Sequence, residues 1–345
     1  MANKKTALIT GINGQDGSLL ALELVNAGFV VSGTFRRGSA NYLWRLDEMQ
    51  ILDELNLFEY TFGGNSRELR KILEQNFDYI YHLAGDSFTH DSLYHPYRTI
   101  NTNLSGCIEL LENSVEICPN SHVFIACSSE IFGHGSISNT FVSEESLRKP
   151  TNPYGISHSA ILDLSRFFRE MYSAFISVGI LFNHESEYRS PQFLTRKITK
   201  GLAGLKSGGT GKDPLQLGNL NTFRDWGSAK EYVSYFSKIL QLSEGDDFVI
   251  ATGKPTSVKQ IIIYACEVFG FEPEFKGEGS NEICFDNRTG KILIRSTKKF
   301  YREIETPCVL GSTNKLQQQI GVKPAHDIRT VIQEMCVKDL KRLMN

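Results

Sequence analysis

The sequence has almost no net charge, no paired-cysteine motif and no long apolar run, and each lack removes a class of function. Lysine and arginine number 37 against 39 aspartates and glutamates, a net charge of −2. No overall positive field therefore draws the chain to nucleic acid or to an anionic membrane, and any anion it binds must be held by groups gathered locally. The seven cysteines form no CxxC pair and no cluster with histidine. That argues against a metal site and suits reduced thiols in a cytosolic protein. The longest apolar stretches, such as Phe175 to Phe182, fall far short of the ~20 residues a membrane span needs. Met1 to Thr6 are polar and lead straight into a strand pattern, unlike a signal peptide. No repeat or low-complexity tract breaks the chain.

What is present is an ordinary globular mixture, 345 residues with 41% hydrophobic and 22% charged, enough for one large domain or two closely packed ones. Short β-branched runs at Ala7–Thr10, Phe29–Phe35, Phe77–Leu83, His122–Cys127, Ile176–Phe182 and Phe248–Ala251 alternate with helical patterns at Ser18–Asn26, Arg67–Gln75, Thr102–Val115 and Gly155–Met171. Continuous apolar strands between amphipathic helices predict a doubly wound parallel α/β sheet of the Rossmann type, covered on both faces. After Phe182 glycine, proline and charge accumulate, which predicts a smaller α/β lobe over the strand ends. The expected division is 1–182 plus 225–253 for the sheet domain, since Asp225 to Gly253 holds one more helix and strand. The lobe takes 183–224 plus 254–345.

The first strand runs into Gly11-Ile12-Asn13-Gly14-Gln15-Asp16-Gly17-Ser18, a GxxGxxG loop opening a helix. Such glycines let backbone approach a pyrophosphate at a helix N-terminus; a plain tight turn is the alternative. The second strand ends Phe35-Arg36-Arg37-Gly38-Ser39. It lacks the acidic residue that takes the ribose hydroxyls of NAD. Two arginines and a serine suit a ribose 2′-phosphate, and so NADP, with a solvated basic turn as the alternative. A later strand ends Cys127-Ser128-Ser129-Glu130, where polar groups face the cofactor crevice or else cap a helix. Asn152-Pro153-Tyr154-Gly155-Ile156-Ser157-His158 then opens a helix, with Tyr154 and His158 on one face. A tyrosine with a cation one turn on, opposite a Ser-x-Glu strand end, is the general layout of short-chain dehydrogenases, which this segment resembles.

Longer runs make the resemblance specific. Gly11-Ile12 with Gly14 to Ser18, Arg36-Arg37, Ser129-Glu130-Ile131-Phe132-Gly133, Asn183-His184-Glu185-Ser186, Thr195-Arg196-Lys197-Ile198, Leu217-Gly218-Asn219-Leu220, Arg224-Asp225-Trp226-Gly227 and Tyr301-Arg302 resemble, in order and spacing, the GDP-mannose 4,6-dehydratases over nearly the whole chain. The resemblance implies an NADP-dependent lyase that forms a GDP-4-keto-6-deoxy sugar, with Ser128, Glu130, Tyr154 and His158 at the catalytic positions. It implies a cofactor set of Gly11, Asn13, Gly14, Gln15, Asp16, Gly17, Arg36, Arg37, Ser39, Leu83, Asn183, His184 and Arg189, with Tyr154 and His158. Ser87, Ser128, Asn183, Lys197, Gly218, Arg224, Arg302 and Glu305 would hold the GDP-sugar, and the enzyme would be a cytoplasmic homodimer or homotetramer without metal.

The chain departs from that family at four places. His158 stands where the family has lysine. An unperturbed tyrosine titrates near ~10 and histidine near ~6.5, so a largely neutral imidazole would activate Tyr154 less. Asp86 is a candidate to hold that imidazole charged, and a tolerated exposed substitution is the plain alternative. Phe62 and Gly63 replace an Asp-Leu pair against adenine, where Phe62 could stack. Gly85-Asp86 replaces Ala-Gln near the sugar, and Glu187-Tyr188 replaces Pro-Arg. These leave room for a related GDP-sugar such as a heptose, for an oxidase or epimerase, and for a nucleotide-sugar-binding homologue with little turnover.

Overall fold

The computed structural model describes residues 4–36, 38–39, 42–63, 66–133, 140–208, 213–301 and 308–344. Seven strands form one sheet: Thr6–Thr10, Val30–Phe35, Asn56–Glu59, Tyr79–His82, His122–Ser128, Ile176–Leu181 and Asp247–Ile250. Counted along the chain, their spatial order is 3-2-1-4-5-6-7, and every pairing is parallel. This is the doubly wound sheet that the strand–helix alternation predicts, and the switch in strand order falls between the first and fourth strands. No apolar run marks the third strand, for a physical reason. It is one edge of the sheet, and its four residues are exposed or half-buried, whereas the other edge, Asp247–Ile250, is buried.

Each face of the sheet has its own core. One is closed by the helices Ser66–Leu73, Gly106–Ile117 and Pro153–Tyr172, with Leu69, Leu110, Ile161 and Ile125 meeting in it. Gln15–Asn26, Ala229–Ile239 and Asn314–Ile320 close the other, where Leu20, Phe236, Leu316 and Phe124 meet. Asp247 stitches the sheet to the long helix by accepting from Arg166 at 2.6 Å and Arg169 at 2.7 Å. The pattern Thr102–Val115 proves interrupted: a helix Pro96–Ile100 passes through a π-helical turn, Asn101–Ser105, into Gly106–Ile117. Such turns often mark functional positions because they re-aim side chains.

A third core lies beyond the strand ends. It joins helices Leu194–Lys206, Val258–Phe269 and Ile328–Met344 to a four-stranded sheet of Leu215–Leu217, Pro273–Lys276, Ile283–Asp286 and Ile292–Ser296. Among the described residues, no helix is long and apolar enough to cross a membrane.

Candidate active site

The carboxyl ends of the strands open onto a cavity of about 950 Å³. Its wall runs from the glycine loop past Leu83 to Phe88, Ser128 to Glu130, Tyr154 and His158, to Lys197, Gly218 and Phe300 of the outer lobe. Glycine is required twice in the loop. Gly11 has φ +72°, and a Cβ on it would lie 2.8 Å from Ala84 Cα. On Gly17 a Cβ would come within 2.4 Å of the Gly11 carbonyl oxygen. Helix Gln15–Asn26 begins at Gly14 with no side-chain cap. Its first amides therefore face the cavity as a site for an anion, and the loop fits a dinucleotide diphosphate.

Behind the loop, Asp16 and His184 hold each other. His184 Nε2 lies 2.9 Å from Asp16 Oδ2, and its Nδ1 lies 2.6 Å from the Phe182 carbonyl oxygen. Both neighbours accept hydrogen bonds, so both ring nitrogens donate and the imidazole carries charge. Burial opposes that charge, but Asp16 outweighs it and raises the His184 pKa. Gln15 donates to Asp16 at 3.0 Å and to the His184 carbonyl at 3.2 Å, and accepts from Ser186 at 2.9 Å. Asn13, Gln15, Asp16, His184 and Arg189 all line the cavity. Arg189 Cζ lies over the Phe193 ring, 3.7 Å from its centre, with Nε 3.3 Å from Glu185.

Arg36 and Ser39 lie at the end of the second strand. Neither is among the residues lining the cavity. Arg36 is largely exposed, 3.6 Å from Asp86. The Ser39 hydroxyl donates to the Arg36 carbonyl at 2.5 Å and accepts from Asn13 at 3.3 Å, so it fastens its own turn. Arg37, Arg302 and Glu305 lie outside the described residues.

The catalytic candidates converge on the cavity wall, and Ser128 also caps a turn there. Its Oγ accepts from the Glu130 amide at 3.2 Å, capping the short 3₁₀ turn Ser129–Phe132, while the residue also lines the cavity. Asn152 serves twice. Its Oδ1 accepts from the Gly155 amide at 2.8 Å and caps the helix Pro153–Tyr172. Its Nδ2 donates to Glu130 Oε2, also at 2.8 Å. The glutamate carboxylate is thus aimed by the residue that starts the tyrosine helix.

Tyr154 is pushed well above its ordinary pKa by burial, with the Ser128 hydroxyl opposing. The His158 ring packs edge-on against it, 4.4 Å between centroids. His158 is no exposed substitution: it is 9% accessible, and its buried Nδ1 has no hydrogen-bond partner. Burial, with His82 adding to it, pushes its pKa down to about 3. Asp86 does not hold this imidazole, because its carboxylate goes to Arg98 at 3.0 Å and to Arg36. Phe62 turns inward, edge-on to Tyr60 at 5.0 Å and to His82 at 5.1 Å, and joins the core.

On the outer lobe, Lys197 donates to the Gln216 carbonyl at 2.8 Å and lies 4.3 Å from the centre of the Phe300 ring. Burial, then Lys299, lowers its pKa. The Gly218 carbonyl accepts from Ser296 at 2.9 Å, and a Cβ on Gly218 would strike the Phe300 carbonyl oxygen at 2.3 Å. Ser87 and Asn183 face the main cavity. Arg224 lines a neighbouring chamber of about 230 Å³, which Glu130 and Asn183 also border.

Two supporting residues carry no sequence signal strong enough to select them. Asn152 was visible only as an Asn-Pro helix start. Arg45 is buried and donates to the carbonyls of Asn13 at 2.8 Å and Tyr188 at 2.7 Å and to Ser190 Oγ at 2.9 Å. It ties the glycine loop to the segment after Ser186, and Tyr188 is buried beside Trp44 in consequence.

The profile of the family described as GDP-mannose 4,6 dehydratase matches residues 8–335. The chain belongs to the GDP-mannose 4,6-dehydratase family. That is a family of enzymes, lyases by reaction. The GDP-mannose 4,6-dehydratase sdnI of Sordaria araneosa is 34% identical over 98% of this chain, which spans 61% of that protein's length. The GDP-mannose 4,6-dehydratase of Sinorhizobium fredii is 33% identical, with 99% of each chain covered. Among solved structures, the UDP-glucose 4-epimerase of Thermotoga maritima with UDP-glucose superposes with a TM-score of 0.80 at 18% identity, over 99% of this chain and 100% of that one. RMD from Pseudomonas aeruginosa complexed with NADPH gives 0.77 at 18% identity, over 98% of each chain. These structural likenesses speak for the fold alone.

Proposed function

We propose that the chain converts GDP-mannose to GDP-4-keto-6-deoxymannose, with NADP held in the large cavity. One observation carries the reading most: Glu130, aimed by Asn152, shares a wall with Ser128 and Tyr154 beside the glycine loop. A nicotinamide cofactor held at the glycine loop from Gly11 to Gly17 and beside Tyr154 and His158 would supply a hydride acceptor for carbon 4 and a hydride donor for carbon 6. Tyr154 takes the proton of the 4-hydroxyl, and Ser128 bonds the 4-oxygen. Glu130 removes the carbon-5 proton, acidified by the 4-ketone. The 6-hydroxyl leaves as water, and a proton returns to carbon 5. The balance is substrate minus one water with the cofactor unchanged. His158 borders the cofactor beside Tyr154, and Leu83, His184 and Arg189 complete the cofactor wall. Ser87, Asn183, Lys197, Gly218 and Arg224 bind the GDP-sugar together with Arg302 and Glu305.

Incubation with GDP-mannose tests this directly, the product being lighter by one water. The unpartnered, neutral His158 favours one second reading, a nucleotide-sugar-binding homologue with little turnover. Binding of NADP and GDP-sugar without loss of water across pH 6–10 would establish that reading instead.

NADP rather than NAD is supported by the lack of a carboxylate at the end of the second strand and by Arg36 beside it. NADP is expected to bind at least about tenfold tighter than NAD. Arg36→Ala should cost NADP about 1.5 kcal/mol and leave NAD unchanged, the low end for a charge-assisted bond because the side chain is exposed. Equal affinities in a titration would remove the 2′-phosphate assignment. The chain is a homodimer or homotetramer on this reading. Exposed Leu93, Tyr94, Tyr97, Phe167 and Met171 support self-association, and light scattering measures the mass.

A further inference from the structure

Asp86 sits in the turn after the fourth strand with its backbone fixed from two sides. Its amide donates to Asn103 Oδ1 at 2.7 Å, and Asn103 Nδ2 donates to its carbonyl at 3.1 Å. Asn103 is buried and belongs to the π-helical turn Asn101–Ser105. The clasp leaves the carboxylate at the cavity wall, between two arginines from different elements. Oδ2 accepts from Arg98 Nε at 3.0 Å, and Oδ1 lies 3.6 Å from Arg36 Nη1. Arg98 is shared in turn with Asp91 at 3.2 Å. An acidic residue is thus missing from the end of the second strand in sequence, yet one reaches the same arginine in space.

We propose that Asp86 moderates the cofactor preference of this chain by competing with the ribose 2′-phosphate for Arg36. The inference rests on the proposed NADP reading. A guanidinium already facing a carboxylate gains less from a phosphate than a free one, because the pair must be broken first and the dianion then lies near a residual negative charge. The two distances set the size of the effect. Arg98 makes the aligned hydrogen bond and keeps Asp86 when Arg36 turns away, so the competition is partial. Asp86 reduces the preference for NADP without inverting it. A ribose with a free 2′-hydroxyl carries no charge to be repelled, so NAD is nearly indifferent to Asp86.

The test is cofactor titration of the protein stripped of nucleotide. Asp86→Asn keeps the backbone clasp and should tighten NADP about fivefold, the scale of one exposed ion pair, with NAD shifting less than about twofold. The gain should shrink as salt is raised. On an Arg36→Ala background the Asp86→Asn gain should vanish, since the two positions are coupled. Arg98→Ala is a second probe that leaves Asp86 in place. It removes the tighter partner, so Arg36 is held more firmly and NADP should weaken about threefold. An unchanged NADP affinity in Asp86→Asn overturns the proposal. So does an equal gain with and without Arg36, which would make Asp86 a source of general repulsion. If Arg36→Ala alone changes neither cofactor, the NADP reading fails. If Arg36→Ala weakens NADP while Asp86→Asn does nothing, only the competition fails.

Discussion

Replacing Glu130 with glutamine is expected to lower turnover of GDP-mannose by about 10²–10⁴-fold, the usual contribution of a positioned general base. The variant is nearly isosteric, and its side-chain carbonyl can still accept from Asn152 Nδ2, which donates to the native carboxylate at 2.8 Å. The cap on the tyrosine helix is made by the other end of Asn152, Oδ1, so the backbone around Tyr154 has no reason to move. What is lost is the capacity to take a proton. Tyr154 and Ser128 still serve the 4-hydroxyl, so oxidation at carbon 4 remains open while elimination does not. The mixture should hold a 4-keto hexose that has kept its water, with an equal amount of reduced nicotinamide. Substrate labelled with deuterium at carbon 5 should keep the label. Normal turnover, or wash-out of the label at the native rate, would assign the carbon-5 proton to another base.

How far the sequence could be read depended on whether a feature is local. The glycine loop, the Ser-x-Glu strand end and the tyrosine of the helix that Asn152-Pro153 opens are each marked by contiguous residues, and each lies on the cavity wall. The six apolar runs became strands because those strands are largely buried, the edge strand Asp247–Ile250 included, and the opposite edge strand Asn56–Glu59 escaped because its residues are exposed or half-buried. Partnerships made by topology were beyond reach. Asp16 meets His184, Arg45 meets Asn13 and Tyr188, and Arg36 meets Asp86 only once the sheet is wound. The depth of the His158 site was beyond reach for the same reason. From sequence, His158 reads as a largely neutral imidazole, and the burial that lowers its pKa further cannot be seen in the motif. Helix Pro153–Tyr172 carries it into the wall beside a second buried histidine, His82, whose pKa burial lowers to about 4.

That burial fixes the pH dependence. The rate with GDP-mannose is expected to rise about tenfold per pH unit from pH 7 to pH 9, roughly hundredfold in all, because Tyr154 acts as phenolate and an ordinary tyrosine already titrates near ~10. Burial raises Tyr154 above that value, and Ser128 offsets only part of the rise. No plateau is therefore expected below pH 9. His158, with a pKa near about 3, is neutral across the whole range. It adds no inflection near neutrality and no Coulombic help. Restoring a cation should reverse this. His158→Lys would place an ammonium one helical turn from Tyr154, and each unit by which it lowers the tyrosine pKa is worth about 1.4 kcal/mol. Burial will act on the lysine too, lowering its own pKa, but pairing with the phenolate opposes that loss. The variant is expected to turn over at least about tenfold faster at pH 7, with its alkaline limb moved down by a unit or more. A native profile with an inflection near the ordinary histidine pKa would mean that His158 charges in the site, against the effect of its burial. A lysine variant with no gain and an unmoved alkaline limb would mean that the 4-hydroxyl proton does not leave through a tyrosinate, and Tyr154 would then act as a hydrogen-bond donor to the sugar.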